Sequence, residues 1–241
     1  MTLLLLAGTG EAREIARGLA TAGIPAMATL AGVTRHAASL GIDTVSGGFG
    51  GEIGFRTFLQ ANSITAIIDA THPFAAKISH RTARIAAEEN VRYLQVLRPK
   101  WEKTTQDRWI SVRSEAEAVS HIDPQSTVFL ATGRQRLSEF SGLAGQTTYC
   151  RQIDPPSGPF PFEGGSFLVG RPPFSVDQEE ALFAKLGIDI LVVKNAGGQA
   201  SQTKLIAARK LGITVLMIER PEQPLAERVE TAREALLWAQ A

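Results

Sequence analysis

The sequence predicts an α/β protein built as two doubly wound, Rossmann-like lobes with mainly parallel sheets. Three observations predict it. Apolar runs of strand length alternate with helix-like stretches almost throughout the chain. These runs are near-continuously apolar, as strands covered by helices on both faces must be. A polar, broken stretch at 99–111 then divides the series in two.

In the first lobe the strand runs are TLLLLA (2–7), PAMATLA (25–31), TVSGG (44–48), TAIIDA (65–70) and VRYLQVL (91–97). Helices are expected between them at 11–22, near 34–40, at 52–61 and at 74–89. Ile15, Ala16, Leu19 and Ala20 fall on one face of the first helix. Residues 99–111 read as a connection. The second series runs TVFLAT (127–132), TTYCR (147–151), SFLVG (166–170), DILVVK (189–194) and ITVLMI (213–218), with helices at 175–186, 199–211 and 224–239. The boundary falls within 100–112, which gives domains 1–105 and 106–241. The Pro/Gly stretch Pro155–Gly165 reads as a loop placed to border a site.

Composition narrows the function classes. The chain has 241 residues, 44% hydrophobic and 20% charged, and a net charge of +1. So even a balance offers no bulk field for nucleic acid or an anionic membrane. The single cysteine, Cys150, excludes an intramolecular disulfide framework and suits a reducing, cytoplasmic setting. The apolar start lacks a basic flank and is too short for a secretory signal. No run of about 18 apolar residues would span a bilayer.

The chemistry-bearing residues gather after strands. Gly8-Thr9-Gly10-Glu11 follows the first strand and opens a helix. Backbone N–H groups and the helix dipole at such a turn favour a phosphate. The full G-x-G-x-x-G fingerprint is not met, because Arg13 holds the third glycine position. Taken alone, the turn also fits a plain βα connection. After the second strand, where an NAD enzyme carries an acid for the ribose, stand Thr34 and Arg35. A hydroxyl and a guanidinium there favour the 2′-phosphate of NADP, although Thr34 as a helix cap beside a solvated Arg35 is the plainer reading. The assignment predicts that Arg35→Ala weakens NADPH far more than NADH, measured by titration. Equal losses would refute it. Ser46-Gly47-Gly48-Phe49-Gly50-Gly51 ends the third strand, and so many glycines let a flat ligand approach the backbone. Asp69-Ala70-Thr71-His72-Pro73-Phe74 ends the fourth. All four loops leave the carboxyl edge of the sheet, where α/β proteins bind ligands.

Gly8-Thr9-Gly10-Glu11-Ala12-Arg13, Gly47-Gly48-Phe49-Gly50-Gly51, Asp69-Ala70-Thr71-His72-Pro73-Phe74-Ala75 and Lys194-Asn195-Ala196-Gly197-Gly198 together resemble the precorrin-6A reductases of cobalamin biosynthesis. The likeness runs over nearly the whole chain. It implies NADPH as cofactor and precorrin-6A as substrate, with one double bond of the macrocycle reduced to give precorrin-6B. Hydride then reaches one carbon of a conjugated C=N–C=C system, and a side chain or water protonates its neighbour. The resemblance leaves open a cobalt-containing macrocycle. Expected partners are the tetrapyrrole and other enzymes of the corrin pathway, with no nucleic acid, membrane or metal ligand.

On this reading the first lobe binds the cofactor through Gly8, Thr9, Gly10, Glu11, Arg13, Thr34, Arg35, Gly47, Gly48, Phe49, Gly50, Thr71, Pro73 and Phe74. The second lobe completes a substrate cleft. A substrate rich in acetate and propionate groups needs cations and donors, and the candidates are Lys77, Arg134, Arg151, Lys194, Asn195, Gly197, Gly198 and Ser201. His72 is the one candidate for a catalytic role, as a proton relay or a substrate-orienting group. The alternative is that Thr71-His72-Pro73 only shapes the nicotinamide pocket.

Three rival readings make different demands on the residues. An alcohol dehydrogenase of the short-chain type needs Tyr-x-x-x-Lys, but Leu97 and Ile153 stand four residues after the two tyrosines, Tyr93 and Tyr149. A methyltransferase leaves Thr34-Arg35 without a purpose. An NADP(H)-binding sensor of the same fold without turnover remains as the alternative function.

Overall fold

The computed structural model describes residues 2–30 and 40–241. The expected helix near 34–40, and with it Thr34 and Arg35, lies largely outside the described residues. The chain divides into two compact units. One runs to Pro99 and resumes at Pro221–Ala241, and the other is Lys100–Arg220.

The first unit contains β1 (Thr2–Leu6), α1 (Gly10–Thr21), β2 (Ala26–Leu30), β3 (Asp43–Ser46), α2 (Gly51–Ala61), β4 (Ile64–Asp69), α3 (Ala76–Glu88) and β5 (Arg92–Val96). The second follows with β6 (Trp109–Val112), α4 (Glu115–Val119), β7 (Val128–Leu130), a 3-10 segment (Arg134–Leu143), β8 (Thr148–Gln152), β9 (Gly165–Val169), α5 (Val176–Leu186), β10 (Ile190–Lys194), a 3-10 turn (Gln199–Ser201), α6 (Thr203–Leu211) and β11 (Thr214–Ile218). The tail, β12 (Arg228–Val229) and α7 (Ala232–Gln240), returns to the first unit.

Each unit holds a six-stranded sheet, and every pairing in both is parallel. The first has the order β12-β5-β4-β1-β2-β3, the doubly wound Rossmann order, with its switch point between β1 and β4. Its central strands β1 and β4 are apolar on both sides because both sides are covered. Leu3 and Leu5 of β1 pack with Ile15 and Leu19 of α1. Leu4 and Leu6 face the other way, onto Phe55, Leu59 and Ile85. The second sheet has the order β6-β11-β10-β7-β8-β9, with the switch point between β7 and β10. Phe129, Leu191, Val193, Val215 and Met217 pack there on Phe183, Leu205 and Ala208.

Three expectations are corrected. The first is the division at 105/106. The tail belongs to the first unit, because β12 pairs with β5 at Arg228↔Gln95 and Val229↔Val96. Ala232 and Ala235 also join the first core, and a Cβ on Gly18 of α1 would overlap Leu236 of α7. The second is the single helix at 224–239. Residues 224–231 are not helical but carry β12, and α7 starts only after Thr231 caps it in a reciprocal pair with Glu234. The third is the plain connection at 99–111, whose end forms β6 beside β11.

Candidate functional site

In the first unit the loops after β1, β3 and β4 leave the same edge of one parallel sheet. Gly8 has φ +152°, and nothing stands within 4 Å of where its Cβ would be. Thr9 then caps α1, its Oγ1 accepting from Ala12 N at 3.2 Å. The same hydroxyl donates to Ala70 O at 2.8 Å, which ties the glycine turn to the loop after β4 across the switch point. Arg13 is exposed, and its guanidinium lies 3.8 Å from the Cβ position of Gly10, beside the turn. Glu11 would repel an anion at this helix end, but it pairs with Arg98 at 2.7 Å.

The loop after β4 is held from beneath. Asp69 is buried and accepts from Thr71 N (3.0 Å), Thr71 Oγ1 (2.7 Å) and Tyr93 Oη (2.8 Å). Burial, and then the facing Asp69 carboxylate, push the Tyr93 phenol far above its ordinary range, so it stays a donor. Pro73 is buried, and its carbonyl accepts from Gln223 Nε2 at 3.0 Å. Gln95 Nε2 donates to Gln223 Oε1 at 2.8 Å, and Arg228 Nε donates to Gln95 Oε1 at 3.0 Å. The tail thus clamps the Thr71–Phe74 turn. His72 is exposed on that turn, with Nδ1 accepting from Phe74 N at 3.2 Å and its ring 5.8 Å from that of Phe74. Lys77 is exposed in the first turn of α3.

After β3, Gly47 (φ +116°) and Gly50 (φ +70°) hold conformations that side chains resist, and space is open above both and above Gly48. Phe49 has a structural role as well. Its ring lies 4.7 Å from Phe55 and 5.0 Å from Phe58, so the half-buried side chain also anchors the loop on the core. A Cβ on Gly54 would overlap the Phe49 carbonyl, so this unforeseen glycine lets the loop seat on α2.

In the second unit the substrate candidates separate. Lys194 ends β10 at the switch point. Its Nζ lies 3.4 Å from Thr132 O, after β7, and 3.5 Å from Glu115 Oε1. Arg134 is exposed at the start of the 3-10 segment. Asn195 does not present its amide to a ligand. It is buried, Trp101 N donates to its Oδ1 at 2.9 Å, and its Nδ2 donates to Trp101 O at 3.1 Å. Gly197 and Gly198 have φ +68° and +87°, and the carbonyl of Gly198 accepts from the Trp101 indole. They shape the turn that this tryptophan fills. Ser201 lies in the 3-10 turn and gives its carbonyl to Lys204 Nζ at 2.8 Å. α6 begins two residues later without a side-chain cap.

Arg151 is committed within the unit. Both guanidinium ends meet Glu179, each at 2.7 Å, and its plane lies over Phe129 and Phe174. Burial lowers the neighbouring Lys204 ammonium to about 8, with Glu179 opposing the shift and Arg151 adding to it. Burial pushes the Cys150 thiol up to about 11, which makes it an inert core group. Among the described residues no cluster of His, Cys, Asp or Glu fits a metal ion, and no helix is long and apolar enough to cross a membrane.

A parallel sheet in this order, with a glycine turn heading its first helix at the switch point, defines an α/β protein of the Rossmann class. The chain belongs to the precorrin-6x reductase CbiJ/CobK family, an oxidoreductase family whose sequence model matches residues 2–240. It is 37% identical over 238 residues to the precorrin-6A reductase of Rhodobacter capsulatus, covering 98% of this chain and 94% of that one. Identity is 39% over 239 residues to the precorrin-6A reductase of Rhodococcus erythropolis, with 98% and 96% covered. The cobalt-precorrin-6A reductase of Priestia megaterium is 28% identical over 244 residues, with 91% of each chain covered. Among solved structures, the CobK precorrin-6A reductase superposes with a TM-score of 0.94 at 36% identity, over 100% of this chain and 96% of that one.

Proposed function

We propose that this protein reduces precorrin-6A to precorrin-6B in cobalamin biosynthesis, using NADPH, in the cytoplasm. The observation that carries the proposal is the full-length identity of 37–39% to precorrin-6A reductases. The lower identity, 28%, to a cobalt-precorrin-6A reductase favours the metal-free macrocycle. The first unit fits a nicotinamide dinucleotide, since the backbone at Gly8, Gly47, Gly48 and Gly50 has open space where a Cβ would stand.

When bound, NADPH supplies the hydride that adds to one carbon of the macrocycle. The chain orients and neutralises. The N-terminus of α1, with Arg13 beside it, takes the pyrophosphate, and Thr34 and Arg35 take the 2′-phosphate. The turn Thr71–Phe74, held by Asp69 and Gln223, bounds the nicotinamide. Holding the reactants in register supplies much of the rate. His72 stands exposed on that turn and orients substrate or passes a proton to the carbon beside the reduced one. Arg134, Lys77 and Lys194 favour the carboxylates of the substrate.

The test is anaerobic incubation of the pure protein with NADPH and precorrin-6A, followed by absorbance and mass. A gain of two hydrogens in the macrocycle, matched by oxidation of one NADPH, is the expected result. Tight NADPH binding without turnover would identify a sensor instead.

A further inference from the structure

The start of α1 carries two opposed charges. An α-helix leaves its first N–H groups without internal acceptors. Thr9 Oγ1 takes the one on Ala12, and those of Gly10 and Glu11 stay for a ligand. The helix dipole adds a partial positive charge to them. The Glu11 carboxylate works against both. It stands in the first turn of the same helix, and its side chain is only 25% exposed, so solvent screens it poorly. A carboxylate there stabilises an empty helix and repels the pyrophosphate assigned to this end.

Arg98 answers that charge. Its Nη1 donates to Glu11 Oε2 at 2.7 Å, and its side chain is 16% exposed. Arg98 follows β5, Glu11 follows β1, and β4 lies between those strands in the sheet. The ion pair therefore reaches past the end of β4, from which the Thr71–Phe74 turn leaves. A second tie runs the same way, since Thr9 Oγ1 donates to Ala70 O at 2.8 Å.

We infer that Arg98 is a positioning residue for the cofactor: it neutralises Glu11 and holds the carboxylate toward β5, so that the N-terminus of α1 keeps its attraction for phosphate. This rests on the NADPH reading above and adds to it a residue that acts through Glu11. On this account Glu11 governs affinity by its charge and not as a contact. The pair is half-buried on both sides, so its charge balance is felt locally and is only partly screened by salt.

The experiment compares wild type with Arg98→Met, Arg98→Lys, Glu11→Gln and the double variant Arg98→Met with Glu11→Gln. Dissociation constants for NADPH are measured by calorimetric titration at low and high salt, and melting temperatures without cofactor. The pair is neutral in wild type and in the double variant, more negative in Arg98→Met and more positive in Glu11→Gln. Affinity should follow that charge. Arg98→Met is expected to raise the Kd about ten-fold at low salt and by less at high salt. Glu11→Gln binds at least as tightly as wild type. Arg98→Lys, which keeps the charge, and the double variant stay within about three-fold of wild type. If the melts show that Arg98→Met does not fold, Glu11→Gln decides the matter. A plain structural strut gives another order: Glu11→Gln and the double variant weaken NADPH as much as Arg98→Met does, at either salt. That result overturns the inference. A double variant as weak as Arg98→Met, with Glu11→Gln unimpaired, overturns it too, because Arg98 would then touch the cofactor itself. In both cases wild type still binds NADPH and the cofactor reading stands. If wild type does not bind NADPH, the cofactor reading falls and the inference with it.

Discussion

Asp69→Ala is expected to destabilise the first unit by about 3 kcal/mol or more, from the donors it orphans. Asp69 is 1% exposed and is the common acceptor of Thr71 N, Thr71 Oγ1 and Tyr93 Oη. Truncation takes the charged acceptor from the Tyr93 hydroxyl, which burial keeps protonated, leaving it only Ser79, and opens a void below the turn. Thr71 is half-buried and regains part of its loss from water. At roughly 2–4 °C per kcal/mol for a chain of this size, the melting temperature falls by about 6–12 °C. The turn it supports bounds the proposed nicotinamide site, so NADPH affinity falls as well. Thermal denaturation and calorimetric titration check both. A melt within 2 °C of wild type would show that the three hydrogen bonds do not hold the loop.

Glu179→Ala is expected to cost about 3–5 kcal/mol, the usual penalty for uncovering a buried charge. Arg151 is 11% exposed at its side chain and Glu179 1%, so water cannot replace the lost carboxylate. Removing both partners, as in Arg151→Met with Glu179→Leu, is expected to cost far less. The same loss falls on Lys204, whose ammonium burial already lowers to about 8 against an ordinary 10.5. A base with a depressed folded pKa binds fewer protons folded than unfolded. Its penalty is therefore full below about pH 8 and is relieved as pH rises through 8 towards 10.5. Without Glu179 the relief starts at a lower pH, because the carboxylate that opposed the shift is gone. Urea denaturation at neutral and alkaline pH reads both effects. Equal stability of Glu179→Ala and wild type at pH 7 would refute the account.

Much of this architecture was legible because strands buried on both faces are written as apolar runs. TLLLL, TAIID and ILVVK admit little else at their lengths. The strand β6 escaped because it lies at a sheet edge, with Ile110 40% exposed, and an edge strand loses the apolar signature. The tail was assigned to the wrong unit because amphipathic spacing says that a face is buried, not against which sheet. The site divides in the same way. Gly8, Gly47 and Gly50 were legible because their backbone conformations need glycine. Asn195 turns to Trp101 because a residue just after a strand faces the chain as readily as a ligand. Gln95 and Gln223 carried no signal, since a glutamine belongs to no spacing pattern and acquires meaning only from its neighbours.

The return of residues 221–241 to the first unit bears on how the protein is made. Synthesis proceeds from the N-terminus, and domains generally fold as they emerge. Here the sheet edge at β5, the face of α1 around Gly18 and the carbonyl of Pro73 all await partners encoded after the whole of the second unit. The second unit is continuous in sequence, so all its strands are made before the tail. The earlier-made unit is completed last, and the Pro73 carbonyl on its proposed cofactor turn meets Gln223 only after the tail is made. On that reading the clamp on the Thr71–Phe74 turn is complete only once the tail has been made.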